Sequence, residues 1–179
     1  MRASLRAAGV AVLLGVAALA RAAAPPALDF TVRLDPDTRA LAARGTVTMP
    51  AGEAVDLALR KDFEAGRVAL AGRAAPLERR VQGDVQLWRV PASRTERRID
   101  VAWQGTLAPL DAGLSHRETL GQAAPVAGPE GTFLASGSRW YPHVPGTLAS
   151  YRVALDLPEG QRGLVAGRIV EERVEGGRY

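Results

Sequence analysis

Beyond residue 27 the apolar residues recur at every second position. In LDFTVRL, Leu28, Phe30, Val32 and Leu34 alternate with Asp29, Thr31 and Arg33. A β-strand turns successive side chains to opposite faces, so this pattern places one row on a buried sheet face and the other in water. GTVTM resumes the alternation with Val47 and Met49 inward. VDLAL presents Val55, Leu57 and Leu59, and RIDVAW presents Ile99, Val101 and Trp103 on one face. RVALAG and DVQLWRV read as further short strands, and in DPDT (Asp35 to Thr38) Pro36 fixes φ for a turn. Strands at a spacing of roughly 8–15 residues, punctuated by Gly, Pro and Asp, predict an all-β fold: an antiparallel sandwich or layered β domain. No long segment after residue 24 carries a helical period, and there is no internal repeat.

Two stretches break the rhythm. Ala108 to Gly131 is rich in Gly, Pro and Ala, and reads as one long loop with a helical turn near Ser115 to Leu120. GTFLAS and YRVALDLP then return to strand, the latter with Tyr151, Val153, Leu155 and Leu157 on one face. GLVAGRIVEERV reads as a strand, a bend at Gly167 and a second strand. Gly176-Gly177 makes a turn, and Arg178-Tyr179 reads as the opening of another strand. An unpaired edge there is a liability, so the chain is expected to be a fragment of a longer protein.

The start of the chain sets the expected compartment. Arg2 and Arg6 precede an apolar run, Ala7 to Ala20, of signal-peptide length, and small residues offer cleavage after Ala22 or Ala24. Residues 1–24 are therefore expected to be a signal-peptide helix, and 25–179 an exported domain, periplasmic or secreted. An uncleaved membrane anchor is the alternative, with the membrane touched only through this segment. Loss of Arg2, Arg6 and Arg21 takes the formal charge from +4 to +1, and Lys61 is the only lysine among 23 basic residues. The arginine content reads as coding bias, and no nucleic-acid partner is expected. With no cysteine, the fold must rest on its own core.

Catalytic patterns do not assemble. A zinc site needs three or four N, S or O ligands at fixed spacing. The chain has no cysteine, no H-E-x-x-H, and two histidines, His116 and His143. His116 and Glu118 in SHRETL read as solvated loop residues. Ser138, His143 and Glu130 could form a nucleophile set on paper, but no spacing supports it. No catalytic, metal or cofactor residue is therefore assigned within this chain.

The chemically richest stretch is SGSRWYPHVPG, Ser136 to Gly146. Trp and Tyr bury large areas yet need partners for N–H and O–H, so they favour seams. Pro142 and Pro145 stiffen the segment and keep it out of central strands. Three readings stand: a plug under the long loop, an interface with a following domain, or a platform on which a sugar stacks.

LDFTVRLDPDTRALAARGTVTM, VDLALRKDFEAGRVALAG, GTFLASGSRWYP and YRVALDLPEGQRGLVAGRI, in that order, resemble the N-terminal domain of the M1 family of zinc aminopeptidases. The resemblance covers about residues 28–175. It implies a saddle-shaped β domain whose aromatic-proline element, at Tyr141 and Pro142 here, packs near the catalytic domain. The family continues that element as Phe-Pro-Cys-x-Asp-Glu-Pro, whereas this chain reads Tyr141-Pro142-His143-Val144-Pro145. The family's Thr-Gln ahead of it, which helps hold the substrate's amino end, is replaced by Leu134-Ala135-Ser136. The exopeptidase and zinc motifs belong to the family's next domain. On this resemblance the chain is a non-catalytic domain that scaffolds the cleft of a following domain, with Trp140, Tyr141, Pro142 and His143 as the seam. Zinc would sit in that following domain, and peptide would be met only through the parent enzyme. A free-standing periplasmic module for glycans or peptides is the alternative.

Overall fold

The computed structural model describes residues 24–111, 113–121 and 123–179. The signal-peptide reading of 1–24 thus lies outside the described residues, Ala24 excepted.

The alternating segments form the expected strands. β1 (Ala27–Asp35) and β2 (Ala40–Met49) make a hairpin. Its turn is held by the Asp35 carboxylate, which accepts from the N–H groups of Asp37 and Thr38 at 3.1 and 3.4 Å. β3 (Val55–Arg60), β4 (Glu64–Leu70), β5 (Arg79–Gln82), β6 (Val85–Val90) and β7 (Arg97–Thr106) follow. β11 (Ser150–Asp156) lies at the far end of the main sheet, whose order is β11-β1-β2-β7-β4. A second sheet has the order β3-β6-β5. All pairings in these two sheets are antiparallel except β1 with β11, which is parallel.

The inward rows of both sheets share one core. Phe30, Gly45, Val101 and Val68 stand opposite one another across four strands of the main sheet, as do Val32, Ala43, Trp103 and Ala65. Leu57, Leu59, Trp88 and Val90 of the second sheet join the same cluster. Burying such rows is the main favourable term in folding, at about 25 cal/mol per Å² of apolar surface. Among the described strand residues, Gln86 and Arg97 are polar side chains taken inside with them. Gln86 donates from Nε2 to the Phe63 carbonyl at 2.6 Å. The Arg97 guanidinium donates to the carbonyls of Glu53, Pro91 and Pro50 at 2.8, 2.8 and 2.6 Å, tying the β2–β3 connection to the β6–β7 connection.

Two sequence expectations change. The stretch Ala108 to Gly131 is not one loop: its ends pair. β8 (Ala108–Pro109) runs parallel to β9 (Val126–Gly128), and β9 pairs with β10 (Gly131–Phe133). Val126, Ala127 and Gly128 are buried, although so short a run shows no alternation to read. The helical turn is present as α1 (His116–Leu120), with Ser115 and Glu118 in a capping box. The second change concerns GLVAGRIVEERV. Its two expected strands are not formed, and residues 164–174 are exposed. A strand needs a neighbouring ladder to satisfy its backbone, and none lies beside this stretch among the described residues.

Candidate functional site

Residues 136–146 run along the outer edge of β3. The Ala58 N–H donates to the His143 carbonyl at 2.8 Å, and the His143 N–H donates back to Ala58 at 3.0 Å. The Arg60 N–H donates to the Arg139 carbonyl at 2.8 Å. The segment thus acts as a short guard strand on an edge that would otherwise expose unpaired groups. Two prolines suit that position, because a proline has no N–H for an inner ladder. A 3₁₀ turn, Ser136–Ser138, leads in, and Arg139 then takes a left-handed conformation, φ 55°. The strained residue is anchored by its guanidinium, 2.8 Å from Asp84.

The four seam residues are brought together unequally. Pro142 is fully buried, while Trp140, Tyr141 and His143 are half-buried. An aromatic chain links them to the core. Trp103 meets Phe30 edge-on at 5.0 Å, Phe30 lies 6.4 Å from Tyr141, and Tyr141 contacts Trp140 at 5.0 Å and His143 at 5.7 Å. Trp140, Tyr141 and Val144 pack against the main core while keeping an outer side wet. Burial holds the Tyr141 hydroxyl above the usual phenol range. Burial also holds His143 below the ordinary histidine value, opposed by its bond to the Tyr141 carbonyl and assisted by the nearby Arg139 charge. That carbonyl can only accept, so His143 Nδ1 carries the proton across the 3.2 Å contact.

His143 therefore makes a pH prediction. Its folded pKa is depressed, so the unfolded chain binds the proton more readily. Stability is full above the unfolded value of about 6.5 and falls as pH drops through it toward the folded value. In His143→Gln the loss of melting temperature between pH 7 and pH 5 should shrink. An unchanged loss would show that His143 is solvated.

The other sequence candidates do not assemble. Ser138 is buried and gives its hydroxyl to the Ala135 carbonyl at 2.6 Å. Glu118 accepts from the Ser115 N–H and hydroxyl at 2.8 and 2.6 Å, bonds that hold its carboxyl below the usual range. The side chain of His116 lies outside the described residues. Among the described residues no three His, Asp or Glu converge as a metal-ligand set. Glu118 is committed to its cap, and His143, whose Nε2 is left free by its bond to the Tyr141 carbonyl, does not by itself make the three or four ligands that zinc needs.

One feature escaped the sequence. The outer face of the main sheet holds an open depression lined by Asp29, Thr31, Arg44, Thr46, Arg67, Arg98 and Asp100. Each residue was legible as an outward strand position, but their meeting depends on a register that no single strand encodes.

No protein-family model and no curated protein sequence matches this chain. Solved structures do. An M1 zinc metallopeptidase from Deinococcus radiodurans superposes with a TM-score of 0.58 at 16% identity, over 87% of this chain and 37% of that one. A mutant M1 zinc metallopeptidase from Deinococcus radiodurans gives 0.57 at 17% identity, with the same coverage. A two-domain M1 zinc metallopeptidase mutant bound to L-tryptophan gives 0.53 at 14%, over 88% of this chain and 38% of that one. The chain spans little more than a third of the length of these structures. At such identity the likeness is one of fold: this β architecture is one that M1 zinc metallopeptidases carry as part of a larger chain.

Proposed function

We propose that this chain is the non-catalytic N-terminal β domain of an exported M1-like zinc metallopeptidase, an aminopeptidase in kind. Its work is to scaffold and partly wall the active-site cleft of a following domain. The observation that carries this reading is the superposition on M1 zinc metallopeptidases over 87% of the chain. In this reading the following domain holds the zinc and acts on peptides, and this domain meets peptide only through that cleft. Export rests on the apolar N-terminal run, and residues 25–179 form the domain.

The seam of this reading is Trp140, Tyr141, Pro142 and His143. Its half-buried aromatics are supported from behind by the core and are wet in front, as an anchor for a neighbour must be before docking. They would be covered by the following domain.

Two measurements test the reading. The chain of residues 1–179 should hold no tight zinc and cleave no peptide, whereas the longer product of its natural reading frame should hold one zinc per chain. Stoichiometric zinc on the short chain, or none on the long one, overturns it. Trp140→Ala should cost about 1–2 kcal/mol in the short chain, because its ring is only half-buried. In the long product the cost should be greater, since interface aromatics are frequent anchors. Equal losses in matched unfolding curves would make the stretch a plug and not a seam.

A further inference from the structure

The two ends of the segment that failed to form strands point at one place. At its close, Glu175 and Arg178 exchange backbone hydrogen bonds at 2.8 and 3.1 Å around Gly176 and Gly177, whose φ values are 59° and 73°. Two positive central φ values are the signature of the tight turn that reverses a β-hairpin. The turn sends Arg178 and Tyr179 back beside the end of β11. There Leu157 and Tyr179 exchange both backbone bonds, at 2.8 and 2.9 Å, in antiparallel register. Arg178 secures the start through its guanidinium, which meets the Asp156 carboxylate and donates to the Asp156 carbonyl at 3.0 Å.

Arg178 is thus bridged on one side to Glu175 and on the other to Pro158. A chain held on both sides is a middle strand. Along β11 the Ser150 N–H turns toward Pro26, on the β1 side. By alternation Tyr151, Val153 and Leu155 turn their N–H and C=O groups to the open side, in line with Leu157. No strand pairs with them there among the described residues. Against the side chains of β11 lies the apolar arm with Leu164, Ile169, Val170 and Val174 exposed, Leu164 at 92%. Gly163 lies against Leu155 and Leu157, and Gly167 beside the Tyr151 hydroxyl.

We propose that β11 and the 163–174 arm form the two sides of a slot for one further antiparallel strand. Its occupant is the polypeptide running on from Tyr179, with the second and fourth added residues opposite Leu155 and Val153. This rests on the reading that a further domain follows, and it assigns that domain's lead-in segment to the β11 edge. The same strand would give GLVAGRIVEERV the ladder that its sequence pattern asks for.

The test appends Thr-Val-Thr-Val-Thr-Val after Tyr179 to the chain of residues 1–179. Hydrogen exchange of the Val153 and Leu155 amides is the readout. In the unextended chain both should exchange freely, and in the extended chain both should slow by about 100-fold, as for a newly closed ladder. A tail with Pro as its second residue should protect neither, since it lacks the inward N–H. Fast exchange with the Thr-Val tail overturns the slot. So does equal protection without a tail at every concentration. Protection that rises with protein concentration, without a tail, makes a second copy the occupant and overturns this assignment. A natural reading frame that stops at Tyr179 overturns the occupant and the proposed function together. A natural zinc-bearing product whose β11 amides exchange freely overturns the slot alone.

Discussion

Trp103→Ala is expected to lower stability by about 3–5 kcal/mol, the range for removing a buried large aromatic. Trp103 is 2% exposed at the middle of β7, between Ala43 of β2 and Ala65 of β4. Its small neighbours leave the room that its ring fills, and Phe30 meets it edge-on at 5.0 Å. Truncation also removes the far support of the aromatic chain that ends at Tyr141 and Trp140, so seam fluorescence should change with stability. The indole N–H has no acceptor among the described residues. Trp103→Phe, which removes that unpaired donor while keeping an aromatic ring, should therefore cost less, about 1–2 kcal/mol. Urea unfolding of the two variants decides the matter. Equal midpoints for the two would show that packing volume is not what Trp103 contributes.

Gly45→Ala should cost about 3 kcal/mol or more, beyond the usual penalty for a single added methyl. A Cβ at this position would lie 1.9 Å from the backbone oxygen of Asp29 and 2.8 Å from the Phe30 ring. The first contact is with the neighbouring strand itself, so no side-chain rotation relieves it, and β1 and β2 must separate at the centre of the main sheet. Gly137→Ala provides the comparison. Among the described residues nothing lies within 4 Å of its added Cβ, and the substitution should move the unfolding midpoint little. If Gly45→Ala behaves like Gly137→Ala, the close approach of β1 and β2 is not a feature of the folded chain.

The inward rows were legible because a period of two is local information. Leu28, Phe30, Val32 and Leu34, Val47 and Met49, Leu57 and Leu59, and Ile99, Val101 and Trp103 are all buried where alternation placed them. The capping box at Ser115 was legible as a helical turn for the same reason: its residues are three apart. Strand formation in GLVAGRIVEERV was not decided locally. Its residues have strand-like apolar content, yet a strand exists only where another backbone completes its hydrogen bonds. The short strands at Ala108 and Val126 escaped for the opposite reason. Too brief to show a period, they are defined by what they pair with, and only Val126–Gly128 is buried there.

The seam stretch divides the two kinds of information most sharply. The sequence alone determined that Ser136 to Gly146 is stiff, aromatic and unsuited to a central strand, because proline's fixed φ and missing N–H act within the residue. Only the tertiary structure decided that it guards the edge of β3, that Pro142 is buried while Trp140, Tyr141 and His143 keep a wet side, and that Ser138 spends its hydroxyl on a neighbouring carbonyl. The same holds for Gly45, an ordinary glycine in the sequence whose necessity comes from the approach of Asp29 across a strand pair. Periodicity, turns and caps depend on residues a few positions apart. Register, edge protection and burial depend on segments far apart in the chain, and those distances are set only when the sheets close on one core.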